Sequence, residues 1–80
     1  MIGIMINKKE AEELIYMLKR EMDELLMDFS DERINVVVKY AMEERYHLLF
    51  SLLKSIAPPN ECIPYIRKSK YNDDILKINS

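Results

Sequence analysis

Residues 7–29, NKKEAEELIYMLKREMDELLMDF, are the part of the chain from which its fold is best predicted. Asn7 is a residue type that caps helices well, and residues 8–28 contain no glycine, no proline and few β-branched residues. Such a composition favours a helix because these side chains neither break nor restrict the helical backbone. We therefore predict a first helix over residues 8–28.

The apolar side chains of this stretch fall on one side of the predicted helix. At about 100° per residue they occupy a sector about 120° wide, and most charged side chains lie outside it. The members are Leu14, Ile15, Leu18, Met22, Leu25, Leu26 and Phe29. This pattern is typical of an amphipathic helix that packs one face against a core.

A second helix is predicted over residues 31–57. Ser30 resembles a helix cap, and the acidic residues 31 and 32 follow it where the helix dipole favours negative charge. Pro58 and Pro59 end the helix because proline cannot continue it. A link this short between two long helices predicts an antiparallel hairpin. The alternative is one continuous helix that runs through Phe29 and Ser30.

The apolar arc of the second helix is wider than one neighbouring helix covers. It spans about 180°, whereas a helix packed on one neighbour needs little more than about 100°. Its members are Ile34, Val37, Val38, Ala41, Met42, Tyr46, Leu48, Leu49, Leu52 and Leu53. The remaining face carries Lys39, Glu43, His47 and Lys54. We therefore expect a further element or a partner to cover part of the arc.

One edge of this arc is the predicted partner-binding site. Met42, Tyr46, Leu49 and Leu53 follow the spacing i, i+4, i+7, i+11, which accepts another helix. A second copy of the chain would make a homodimer in which two hairpins form a four-helix bundle. The alternatives are a helix of a different protein and packing under the chain's own third helix.

Arg45 also belongs to the predicted partner-binding site, because it interrupts the middle of the apolar arc. Antiparallel pairing about Ser30 would bring it opposite residues 14 and 15, with Glu12 and Glu13 within a turn. Two interpretations follow. Arg45 either pairs with a carboxylate of another helix or another subunit, or it anchors a partner protein, since arginine is enriched at interface hot spots.

A short third helix is predicted over residues 61–69 with Asn60 as its cap, followed by a tail over residues 70–80. The whole chain, residues 1–80, is expected to form a single all-α domain. Arg67, Lys68 and Lys70 make the only compact basic cluster, and it supports the alternative function of a dimeric nucleic-acid-binding regulator. Nucleic acid is not the expected partner, because the second helix opens with two acidic residues that repel phosphate.

Residue types for catalysis or metal binding are scarce. His47 is the only histidine, Cys62 the only cysteine and Gly3 the only glycine, so a nucleophile–base pair, a zinc site and a glycine-rich phosphate loop are not expected. We interpret His47 as a surface residue and Cys62 as a small buried apolar residue. The sequence predicts a protein that is not an enzyme and that binds no metal or cofactor.

The expected function is protein binding in the cytoplasm. No apolar run approaches the roughly 20 residues that cross a bilayer, and no basic residue precedes the apolar residues 1–6 as it would in a signal peptide. A single cysteine fits a reducing compartment. We therefore expect a small regulatory or adaptor protein that occludes a surface of its partner, an inhibitor for example, through the apolar face of the second helix.

Overall fold

The computed structural model describes residues 1–67, which form an antiparallel helical hairpin followed by a short helix. Helix α1 comprises Lys8–Phe29, α2 comprises Val36–Ile56 and α3 comprises Pro59–Cys62; a single 3₁₀ turn, Ile63–Tyr65, comes next. The chain reverses direction between α1 and α2, so the alternative of one continuous helix is wrong. The all-α hairpin with a short C-terminal helix is confirmed.

Helix α1 begins where the sequence predicts. The side chain of Asn7 accepts a hydrogen bond from the backbone N–H of Glu10 at 2.8 Å, and the carboxylate of Glu10 accepts one from the backbone N–H of Asn7 at 3.0 Å. This reciprocal capping box satisfies two amide donors that a helix start otherwise leaves unpaired.

The link between the hairpin helices is longer than predicted. Ser30 is the C-terminal cap of α1, and its hydroxyl donates a hydrogen bond to the carbonyl of Met27 at 2.8 Å. The carboxylate of Asp31 then accepts hydrogen bonds from both the backbone and the guanidinium of Arg33, which forms a local turn. Asn35 caps α2 by accepting from the N–H of Val37 at 2.8 Å. The predicted start of the second helix at residue 31 is therefore wrong; it begins at Val36.

The third helix also differs from the prediction of residues 61–69. It begins at Pro59, whose missing N–H costs nothing in a first turn, and Pro58 rather than Asn60 occupies the cap position. Pro64 cannot donate the next α-helical hydrogen bond, and the chain tightens into the 3₁₀ turn before it becomes extended at Ile66. Residues 68 and 69 lie outside the described residues.

The core lies between α1, α2 and α3. Its buried side chains are Leu18, Met22, Leu25, Tyr46, Leu53 and Cys62. Leu14, Ile15, Leu26 and Phe29, the other members of the predicted α1 face, are half-buried and pack around this cluster. The apolar face predicted for the first helix is thus confirmed. The salt bridge between Lys19 and Glu61, at 2.8 Å, ties α1 to α3.

Candidate interaction surface on helix α2

Helix α2 divides its wide apolar arc into two faces with different environments. Tyr46 and Leu53 are buried in the hairpin, and Met42 and Leu49 are half-buried against the same core. These four residues form the inner face of α2. They are the stripe that the sequence assigned to a partner; within the single chain, Tyr46 and Leu53 are buried in the core, and Met42 and Leu49 pack against it in part. As the hairpin stands, Tyr46 and Leu53 present almost no surface to another molecule.

Tyr46 shows how firmly this inner face is held. Its hydroxyl donates a 2.6 Å hydrogen bond to the backbone carbonyl of Tyr65, and its ring meets the ring of Phe29 edge to face at 6.1 Å. Burial raises the pKa of the Tyr46 hydroxyl to about 12, although the nearby Arg67 opposes this shift. The neutral hydroxyl therefore anchors the segment after α3 to the hairpin.

The other half of the apolar arc faces solvent. Its centre consists of Val37, Ala41, Leu48 and Leu52, which we call the outer face of α2; Val38, also exposed, lies at the border of this face. The exposed fractions of Val37, Leu48 and Leu52 are 70%, 63% and 55%, and Ala41 is also exposed. The four residues lie within about 60° of one another on the helix. They form an exposed apolar strip with Glu44 and Arg45 on either side of its centre, and exposed apolar surface of this kind commonly marks an interaction site.

Arg45 borders the outer face and pairs with the hairpin's other helix. Its guanidinium lies 3.2 Å from the carboxylate of Glu21, and both side chains are substantially exposed. The expectation that an acidic residue of α1 would pair with Arg45 is therefore met, but Glu12 and Glu13 are not the partners. The longer link between the helices moves the pairing register toward the middle of α1.

A buried polar cluster lies on the opposite side of α2. Glu43 is only 3% exposed, and its carboxylate lies 3.1 Å from the guanidinium of Arg67 and 4.0 Å from the imidazole of His47. The Arg67 guanidinium also stacks over the ring of Phe29 at 4.0 Å. Both carboxylate oxygens of Glu43 are buried without a hydrogen-bond donor from the described residues.

Sequence reasoning missed this cluster. It placed Lys39 and Glu43 on the polar face of the second helix, whereas both are buried. The spacing in the sequence could have indicated the burial of Glu43. It precedes Tyr46 by three residues and therefore lies on the same side of the helix. The residue that compensates the buried carboxylate, Arg67, lies far away in the sequence.

The basic cluster predicted for nucleic acid is only partly described. Arg67 pairs with Glu43 and stacks on Phe29, which leaves its side chain about a quarter exposed. Its charge is therefore already engaged within the chain. Lys68 and Lys70 lie outside the described residues. Tyr65, which precedes this cluster, is held by a 3.3 Å hydrogen bond from its hydroxyl to Asp23.

Cys62 is buried, as predicted, and its thiol contacts the carbonyl of Pro58 at 3.6 Å. It lies at the edge of an apolar groove at the C-terminal end of α2, which is lined by Phe50, Lys54, Ala57, Pro59, Cys62, Ile63 and Ile66. His47 is exposed, and its imidazole lies 4.0 Å from the carboxylate of Glu43.

Within residues 1–67, no three side chains of the types His, Cys, Asp and Glu converge on a point where they could hold a metal ion. None of the helices in this part of the chain combines the length and the apolar character that crossing a bilayer requires.

Comparison of the chain with protein-family models, with curated proteins and with solved structures finds no match in any of the three.

Proposed function

We propose that this chain is a small protein-interaction module, a regulatory or adaptor protein, that binds another polypeptide through the outer face of α2. The observation that carries the proposal is the exposure of Val37, Leu48 and Leu52 on one strip of a helix whose opposite side packs against the core of the hairpin. Burying such side chains on association removes apolar surface from water and stabilises the complex. The strip is long and narrow, which suits a second helix.

The proposal places the binding site beside the stripe that the sequence favoured. The inner face, with Tyr46 and Leu53, supports the outer face indirectly because it fixes the orientation of α2 on α1. Arg45 stays part of the proposed site, at its border, where its guanidinium and the carboxylate of Glu21 form a polar rim. Polar rims around apolar centres are the usual anatomy of a protein interface.

The proposed setting is the cytoplasm. It is supported by the single cysteine, which rules out an intrachain disulfide, and by the buried position of its thiol. Protein association without catalysis is proposed because the described residues bring no nucleophile and base together at the exposed apolar strip.

The test uses the immobilised full-length chain to capture binding proteins from its native extract, with the captured proteins identified by mass spectrometry. Leu48→Lys and Leu52→Lys place a charge on the outer face, whereas Met27→Lys places the same charge on an exposed apolar residue of α1. We expect the two outer-face variants to lose a protein that the wild type and Met27→Lys retain. Equal retention by all four chains would overturn the proposal.

A further inference from the structure

The apolar groove at the C-terminal end of α2 lies between that helix and the segment over residues 59–66. Phe50 and Ala57 line it on the side of α2, and Ile63 and Ile66 line it on the other side. The side chains of Ile63 and Ile66 are both largely exposed. We call this surface the C-terminal groove. Covering it removes apolar side chains from water, which favours an apolar occupant.

We propose that the C-terminal groove binds the chain's own tail, with Ile75 and Leu76 in the groove and the carboxylates of Asp73 and Asp74 beside the ammonium of Lys54. The four tail residues lie outside the described part of the chain. The C-terminal groove is a different surface from the outer face of α2, so this inference does not depend on the proposed function.

The tail starts from a fixed point next to the groove. Ile66 is part of the groove wall, and Arg67, the last described residue, pairs with the buried carboxylate of Glu43 at 3.1 Å. Glu43 and Lys54 are 11 residues apart on α2, about 16 Å along the helix axis. Residues 68–74 reach up to about 23 Å when extended, so the tail is long enough to turn back to the groove. This short tether also keeps the tail at a high effective concentration near the groove.

The charge of the groove also favours the tail. Among the described residues that line the groove, Lys54 is the only charged one. Its ammonium lies over the ring of Phe50 at 5.5 Å, and no carboxylate of residues 1–67 forms a salt bridge with it. In the tail, two aspartates directly precede the apolar pair Ile75 and Leu76. A segment in which carboxylates adjoin apolar side chains is complementary to an apolar groove with one ammonium at its edge.

The apolar segment at the other end of the sequence is less suited to the groove. Residues 1–6 contain no acidic side chain that could pair with Lys54. They are described by the structure, where they are exposed to solvent and do not line the groove. The tail therefore combines proximity, apolar side chains and negative charge in a way that residues 1–6 do not.

The first measurement is disulfide formation between the tail and α2 in the full chain. Leu76→Cys is combined with Ala57→Cys, in the groove, or with Ser55→Cys, which is exposed on the side of α2 that carries the outer face. Both chains also carry Cys62→Ala, and circular dichroism checks their helical content. The tethers differ by two residues, so docking of the tail should make the 57–76 disulfide form at least about tenfold faster than the 55–76 disulfide. Equal rates, or covalent dimers in place of closed single chains, would overturn the proposal.

The second measurement keeps Cys62 and uses the backbone amide signals of the full chain in nuclear magnetic resonance spectra. Leu76→Lys places a charge in the apolar part of the tail, and Asn79→Lys places the same charge three residues later. We expect Leu76→Lys to shift the amide signals of Ala57 and Ile63, and Asn79→Lys to leave them unchanged. Unchanged signals in Leu76→Lys would overturn the proposal. Capture of a protein by the outer face of α2 is measured separately and is not affected by either result.

Discussion

The guanidinium of Arg67 lies 3.1 Å from the buried carboxylate of Glu43 and pins the segment after α3 across the hairpin. The same guanidinium covers the ring of Phe29 at the end of α1. Arg67 thereby joins the end of the described chain to both long helices. The contact combines an ion pair with a cation–π interaction, and the burial of Glu43 makes it sensitive to loss of either partner.

Removal of Arg67 should therefore destabilise the hairpin. We expect Arg67→Ala to lower the free energy of unfolding by about 3 kcal/mol, because the buried carboxylate of Glu43 loses its cation. The double variant Glu43→Met/Arg67→Met should lose less than the two single methionine variants combined, because it leaves no unpaired charge. Urea denaturation followed by circular dichroism measures all four variants. Additive losses would contradict a coupled pair.

The raised pKa of Tyr46 predicts that the free energy of unfolding depends on pH in the alkaline range. Its pKa is raised from 10.0 to about 12 in the folded chain, so the folded state keeps a proton that the unfolded state releases. The stabilisation is therefore complete below pH 10 and is lost as the pH rises toward 12. We expect the free energy of unfolding to fall with pH in this window.

The control for this prediction replaces single hydroxyl groups. The fall should be shallower in Tyr46→Phe and unchanged in Tyr16→Phe, because the side chain of Tyr16 is 59% exposed. Tyr46→Phe should also cost about 1 kcal/mol at neutral pH, through the lost hydrogen bond to the carbonyl of Tyr65. Urea denaturation at a series of pH values measures both effects. If the free energy of unfolding falls equally steeply with pH in the wild type and in both variants, Tyr46 is not the group responsible.

Leu52 and Leu53 are adjacent, but truncating each to alanine should affect the stability of the chain very differently. Leu53 is fully buried, so Leu53→Ala should lower the free energy of unfolding by about 2–5 kcal/mol. Leu52 lies on the outer face, so Leu52→Ala should change the stability of the monomer by less than about 0.5 kcal/mol and weaken association instead. Denaturation at a protein concentration below the association range separates the two effects. Similar losses at both positions would contradict the orientation of α2.

Removing the capping side chain of Asn35 tests whether α2 begins at Val36. Asn35→Ala should cost about 1 kcal/mol, because the N–H of Val37 loses its acceptor. Ser30→Ala should cost less, because the Ser30 hydroxyl donates to a carbonyl at the end of α1 and caps no helix start. Thermal denaturation compares the two variants with wild type. A larger loss in Ser30→Ala would support a helix that begins at residue 31.

Most of the secondary structure could be predicted from the sequence, because its determinants are local. The Asn7 cap and the apolar face of α1 depend on residues within a few positions of one another, and both are confirmed. The start of α2 was missed because two local signals competed. Ser30 and Asp31 resemble a helix start. However, the Asp31 side chain accepts hydrogen bonds from Arg33, and Asn35 is the residue that caps α2.

Local sequence patterns are enough to predict two amphipathic helices, a second helix that ends before Pro58, and an apolar arc on that helix too wide for one neighbour. Which half of that arc is buried depends on long-range packing, namely on the length of the link over residues 30–35 and on how α3 packs against the hairpin. The burial of Glu43 likewise depends on Arg67, distant in sequence. The periodicity of apolar residues shows which residues share a helix face. Which face is buried depends on contacts between segments that are distant in the sequence.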